Sequence, residues 1–201
     1  MSDFFQAVWQ QLLATSGWEL LAVLLAVAYL LLAIWQSQWC WPAALFSTLI
    51  YVALFYKVAL LSDSLLNAYY LVMAIYGWWS WRQGRSHQAL PVSTRPWVWH
   101  LGLITAGALV SLAWGYVMAE YTHAAFPYLD GANACFSVIT TWMVTRKIIE
   151  NWLYWVVIDA VCIWLYLQKD LAMTALLFAA YVLMALGGYW SWRRAMQAQA
   201  A

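Results

Sequence analysis

From Trp18 to Trp192 the chain is a succession of apolar runs joined by short polar connections. A helix needs about 20 predominantly apolar residues to cross the hydrocarbon core of a bilayer. Runs of this kind leave few other solutions, because hydrophobic residues make up 67% of the chain and charged residues only 8%. Ordinary soluble domains hold roughly 45–50% and about 25%. So few charges could not cover the apolar surface of a water-soluble fold. The sequence therefore predicts an all-α integral membrane protein, a single membrane domain over residues 1–201. No connection is long enough for a separate soluble domain. A net charge of +1 gives no electrostatic ground for binding nucleic acid.

Seven spans are expected: Trp18 to Gln36, Gln38 to Lys57, Asp63 to Trp81, Trp97 to Met118, Gly131 to Thr145, Asn151 to Gln168 and Leu171 to Trp192. The fifth is short and polar. Small and hydroxyl residues are compatible with a membrane helix that neighbours shield. Seven spans place Arg82, Arg85, Arg95, Arg146, Lys147, Arg193 and Arg194 on one side, and Lys57 and Lys169 on the other. The positive-inside bias then puts the N-terminus outside and the C-terminus inside. No basic segment with a cleavage site precedes a second apolar run, so no cleaved leader is expected. Tryptophans at span ends (Trp39 and Trp41, Trp78, Trp79 and Trp81, Trp97 and Trp99, Trp190 and Trp192) are read as interfacial belts. Cys40, Cys135 and Cys162 sit in apolar runs and are expected to pack as small hydrophobes.

One stretch is written twice. YYLVMAIYGWWSW (Tyr69 to Trp81) returns as AYVLMALGGYWSW (Ala180 to Trp192), with seven of thirteen positions identical. They are Tyr70/Tyr181, Met73/Met184, Ala74/Ala185, Gly77/Gly188, Trp79/Trp190, Ser80/Ser191 and Trp81/Trp192. The copies end spans three and seven, and each is followed by Arg on the same side. That is a parallel duplication: three helices over 18–81, a linker helix over 97–118, and three helices over 131–192. Transporters built from repeats carry their substrate site near mid-membrane at the repeat interface.

Polar groups inside a bilayer are costly and so mark candidate sites. Asp159 lies in WLYWVVIDAVCIWLY with no basic residue within two turns of its own helix. Trp152 and Trp155 share its face at i, i+3 and i+7. Two indoles and a carboxylate in line suit a flat cationic ligand through stacking, cation–π contact and charge pairing. The plainer readings are a carboxyl capped by a neighbouring helix and interfacial anchoring of the tryptophans. Asn67 and Tyr70 put an amide and a phenol on one face of span three. Asn133, Ser137, Thr140 and Thr141 form a polar stripe on span five. Either set can contact ligand or hydrogen-bond between helices. Asn67, Tyr70, Asn133, Thr140, Trp152, Trp155, Asp159 and Tyr166 are the candidate substrate contacts. Asp63 is expected to cap span three, and Glu150 and Asn151 to cap span six.

Enzyme chemistry finds little support. His87, His100 and His123 have no metal-ligand spacing, and no phosphate-binding glycine loop is present. No cofactor is expected.

WCWPAALFSTLIY on span two, LLSDSLLNAYYLVMAIYGWWSW on span three and TWMVTRKIIENWLYWVVIDAVCIWLYLQKDL in the second half together resemble the nicotinamide riboside transporter (PnuC) family of bacterial vitamin uptake proteins. The resemblance covers nearly the whole chain. It implies seven helices arranged 3+1+3, similar to SWEET sugar transporters with a different helix order, a homotrimer, and residence in the bacterial inner membrane. It also implies facilitated diffusion, with a cytoplasmic vitamin kinase trapping the substrate by phosphorylation. By position, Trp152 and Trp155 match the family's gating WxxW, and Asn67 and Asp159 its substrate-facing positions. Nicotinamide riboside members often carry Gln and Asn there. Asn67 and Asp159 look more like the thiamine branch (PnuT), so thiamine is the first expected substrate and nicotinamide riboside the second. Riboflavin or a nucleoside is a further alternative. A reading of another class, a non-transporting membrane binding or scaffold protein, conflicts with the intramembrane polar residues of both halves.

Overall fold

The computed structural model describes residues 6, 9, 15–57, 61–82, 90–122, 126–169 and 171–200. Among them run seven long helices: α1 (Gly17–Ile34), α2 (Cys40–Lys57), α3 (Leu61–Arg82), α4 (Trp97–Tyr121), α5 (Pro127–Thr145), α6 (Asn151–Gln168) and α7 (Ala172–Ala200). Local sequence accounts for several ends. Ser16 caps α1, its hydroxyl accepting from Glu19 N at 3.2 Å, the first half of an S-x-x-E capping box. Pro127 opens α5 at a position where its missing N–H costs nothing. The short fifth span thus begins one turn earlier than the apolar pattern suggested. By length and hydropathy alone α1, α4 and α7 qualify as membrane-crossing among the described residues. α2 contributes a shorter apolar helix over Cys40–Leu54, and α3, α5 and α6 carry more polar residues.

Those polar residues are covered by neighbours. α1 packs on α2, α2 on α3, α3 on α5, α5 on α6, α6 on α7, and α7 returns to α1. Six helices therefore close a ring, each half contributing a row of three. The linker α4 packs on α5 through one stripe, Gly107, Ser111 and Gly115. A Cβ at Gly115 would meet Tyr128 Cα at 2.8 Å, and one at Gly131 the Gly115 backbone nitrogen at 3.2 Å. Glycine is what lets these two helices touch.

Side chains bond across both seams between the halves in the same pattern. At α3–α5, Ser80 Oγ donates to Thr145 O at 2.9 Å and Trp81 Nε1 to Val144 O at 3.2 Å. At α7–α1, Ser191 Oγ donates to Ile34 O at 2.8 Å and Trp192 Nε1 to Ala33 O at 2.9 Å. Every donor and every acceptor in the second seam is the first-seam partner displaced by the repeat spacing, 111 residues. The duplication extends well past the thirteen residues that betray it.

Asp63 lies inside α3, which starts at Leu61, so it does not occupy the expected cap position. Its side chain falls outside the described residues, as do Arg85, His87 and His123. Glu150 does sit at the N-cap of α6 but makes no capping bond. Its carboxylate turns instead to the start of α4, where it accepts from Thr94 Oγ1 and, at 3.3 Å, from Arg95 N. Asn151 Nδ2 donates to Ile148 O at 2.6 Å.

Candidate functional site

At the end of the ring that carries the arginines, four tryptophans fill the interior. Trp41, Trp81, Trp152 and Trp192 are all buried, with exposures of 2%, 4%, 1% and 0%. Trp41 meets Trp81 edge-on at 5.2 Å, Trp152 meets Trp192 at 5.4 Å, and Trp81 meets Trp192 at 6.0 Å. Trp41 lies flat over Gly77 and Trp152 over Gly188, where an added Cβ would come within 2.4 Å and 2.6 Å of the indole carbons. The expected interfacial belt is therefore half right. Trp39, Trp79, Trp97 and Trp190 are exposed, whereas Trp41, Trp81 and Trp192 are core. In W-x-W on a helix the two rings point about 200° apart at 3.6 residues per turn. One faces lipid and the other the interior.

Lys147 joins this layer. It is 4% exposed, donates to Gln36 Oε1 at 3.2 Å, and holds its ammonium 4.5 Å from the centroid of Trp81. Burial pushes its pKa down to about 8, against the opposing influence of the Cys40 thiol beside it. Nothing in the sequence patterns singled out Lys147. Extending the repeat register would have, since it aligns Lys147 with Gln36 and Trp152 with Trp41.

Towards mid-membrane the interior becomes polar. Asp159 is midway along α6 and 4% exposed. The ion pairs among the described residues, Lys169–Asp130 and His100–Glu150, do not include it. It lies within electrostatic reach of Tyr70 on α3, Tyr181 on α7 and Cys162 one turn along its own helix. The Tyr70 and Ser137 hydroxyls are hydrogen-bonded, and Cys162 Sγ donates to Asn133 Oδ1 at 3.2 Å. Thr140 is fully buried, its hydroxyl without a partner among the described residues. Tyr166 meets Phe178 at a tilt with ring centroids 5.1 Å apart, and Phe178 meets Tyr181 edge-on at 5.5 Å. Asn67 is half-buried one turn before Tyr70.

The structure thus gathers Tyr70, Asn133, Asp159 and the Tyr166–Phe178–Tyr181 aromatic run around the α3, α5, α6 and α7 interior. Trp152 sits apart in the tryptophan layer, and Trp155 packs against that same cluster. Tyr181 escaped the candidate set although the repeat pairs it with Tyr70. The repeat also shows where the halves differ. Thr48 stands where the second half has Asp159, and its hydroxyl is spent on Ala44 O at 2.8 Å. Asn67 aligns with Phe178, and Asn133 with Ala22.

A ring of duplicated helices, sealed by apolar side chains at one end and polar in the middle, defines a membrane transport protein. The chain belongs to the nicotinamide mononucleotide transporter family, whose model matches residues 16–194. It is therefore a member of a vitamin transporter family rather than an enzyme. Among curated relatives it is 25% identical over 165 residues to the nicotinamide riboside transporter PnuC of Escherichia coli, covering 69% of each chain. It is 23% identical over 178 residues to the riboflavin/roseoflavin transporter RibM of Streptomyces davaonensis, covering 87% of this chain and 83% of that one. The crystal structure of the vitamin B3 transporter PnuC superposes with a TM-score of 0.74 at 16% identity, over 96% of this chain and 90% of that one. That likeness supports the fold.

Proposed function

We propose that this chain takes up a flat, cationic, water-soluble vitamin, thiamine in the first place, by facilitated diffusion. The observation that carries this reading is Asp159. A carboxylate in the middle of a membrane helix, without an ion-pair partner among the described residues and absent from the equivalent position of the other half, calls for a cation from outside the protein. Tyr70 and Tyr181 supply aromatic faces beside it. Asn67, Asn133, Thr140 and Tyr166 offer hydrogen-bond partners for the remainder of the ligand, and Trp152 and Trp155 bound the site on the arginine side. An aminopyrimidine donates to a carboxylate, whereas a ribose asks for amide and hydroxyl partners.

Nicotinamide riboside is the second reading, favoured by the curated relative that carries it and by the same cationic heteroaromatic chemistry. In either case the cytoplasmic end is the arginine end, a kinase inside the cell traps the product, and the protomers assemble as a trimer. Isothermal titration of detergent-purified protein with thiamine and with nicotinamide riboside tests the substrate. Tight thiamine binding without riboside binding supports the first reading, and the reverse supports the second. Uptake into sealed vesicles tests transport, since a binder that saturates with ligand and moves none is a different kind of protein.

A further inference from the structure

We infer that Lys147 and Gln36 form a latch that closes the transport path at its arginine-bearing end, and that the conformation described is the one closed there. The inference rests on the transport reading above for its path and on the repeat for its geometry. Lys147 and Gln36 are 111 positions apart and hydrogen-bonded to each other. They are equivalent residues of the two halves. Two residues related by a twofold operation can touch only on the twofold axis, and the six-helix ring is centred on that axis. The pair therefore stands in the mouth of the ring. Trp81 and Trp192, also equivalent and also in contact, fill the axis beside it.

The backbone is built to present these two side chains. Gln36 and Lys147 are the non-glycine residues with positive φ among those described, at 56° and 49°. Left-handed backbone is unfavourable for side-chain-bearing residues and persists where the surroundings impose it. Each follows the end of the first helix of its half and turns the chain back across the axis. The latch is also asymmetric in a way that matters for the cargo. Two glutamines could bond across the axis, but the second half supplies an ammonium, which occupies the face of Trp81. A cationic substrate leaving towards this end competes with Lys147 for that face, and Lys147 must withdraw before it passes.

Cys40 tests this directly, because it is fully buried beside Lys147. The experiment uses the full-length protein in sealed proteoliposomes, a membrane-impermeant anionic methanethiosulfonate reagent, and mass spectrometry to read Cys40 alone. Modification should be slow in the native protein and at least tenfold faster in Lys147→Ala and in Gln36→Lys. Losing the ammonium by itself makes a neighbouring thiol less reactive, so a faster rate in Lys147→Ala reports access. Since the positions are equivalent, the double variant Gln36→Lys/Lys147→Gln restores one ammonium and one amide on the axis. It should return the rate to within about twofold of native. Equal rates in native and single variants of native melting temperature overturn the latch, as does a double variant that folds but stays open. Uptake of labelled thiamine and nicotinamide riboside is followed in the same vesicles. Native protein that moves neither overturns the transport reading, while the Cys40 rates still decide whether this end is latched.

Discussion

Trp81 and Trp192 meet on the axis between the two halves with ring centroids 6.0 Å apart, and each donates its indole N–H to a carbonyl of the opposite half. The acceptors, Val144 O and Ala33 O, are themselves equivalent positions. Phenylalanine at either site keeps most of the packing and removes one hydrogen bond. Each replacement should therefore cost about 1 kcal/mol, and the two costs should match. Melting temperatures of both variants in one detergent check this. A cost at one site only would mean that the seams are not energetically equivalent.

Gly77 and Gly188 give a sharper comparison. An added methyl would fall 2.4 Å from Trp41 and 2.6 Å from Trp152, both of which are buried. Gly77→Ala and Gly188→Ala should each destabilise by about 1–3 kcal/mol through overpacking. Gly187, the neighbouring residue on α7, has nothing within 4 Å of its added methyl. Gly187→Ala should be neutral or slightly stabilising, because alanine favours helix over glycine. Thermal denaturation of this adjacent pair separates close approach from helix propensity.

How much of this was readable without coordinates depends on the signal. The helices and the duplication were legible because bilayer length and sequence identity are local properties. Helix ends moved by about one turn at Pro127, because polar residues of α5 are shielded by neighbours that a hydropathy pattern does not see, and by about two turns at the end of α7, which continues past Trp192 to Ala200 through residues too polar to count as membrane span. The tryptophan layer was not legible from W-x-W alone, since a belt and a core both use the residue. Only the contact partners Gly77 and Gly188 decide between them. Asp159 was legible as an anomaly in an apolar run. Lys147 was not, because a basic residue in a turn between spans reads as an ordinary inside-facing charge until the fold carries it onto the axis.

Asp159→Asn removes the carboxylate charge at constant size. Binding of thiamine, a permanent cation, should weaken at least tenfold, which corresponds to about 1.4 kcal/mol, with the melting temperature unchanged or raised by relief of a buried charge. Thr48→Val, at the equivalent place in the first half, should leave affinity within about twofold. Isothermal titration of both variants reads this. Full affinity in a well-folded Asp159→Asn protein would remove the acid from the site.

Glu150 ties the linker helix to the second half. Its carboxylate accepts from Thr94 and Arg95 N and stands 3.8 Å from His100 Nε2, while His100 Nδ1 is 3.0 Å from the Tyr154 hydroxyl. Backbone bonds from Ser93 N to Lys147 O and from Ile149 N to Ser93 O, both 2.9 Å, hold the same junction. Glu150→Ala should free the segment before α4 while leaving the ring intact. Hydrogen exchange of residues 92–100 should rise by at least fivefold, with little change in the exchange of α6 beyond its first turn. Unchanged exchange at residues 92–100 would show that the backbone bonds suffice.

Lys147 makes the protein's stability depend on alkaline pH with a definite sign. Its pKa falls from 10.5 to about 8 on burial. Between those values the unfolded chain holds the proton and the folded chain has released it. The unfolded state then binds more protons, so stability rises as pH increases through this window. Below about pH 8 both states are charged, and the folded one bears the full desolvation cost. Cys40 is the titratable group set against the ammonium, and a thiol ionising nearby would favour the charge and blunt the effect. Replacing Lys147 with methionine removes the titration. The melting temperature of the native protein, relative to that of the variant, should therefore climb from pH 7.5 to pH 9.5. A constant difference over that range would mean that Lys147 keeps its proton in the folded protein, held by Gln36 and Trp81 more firmly than burial opposes.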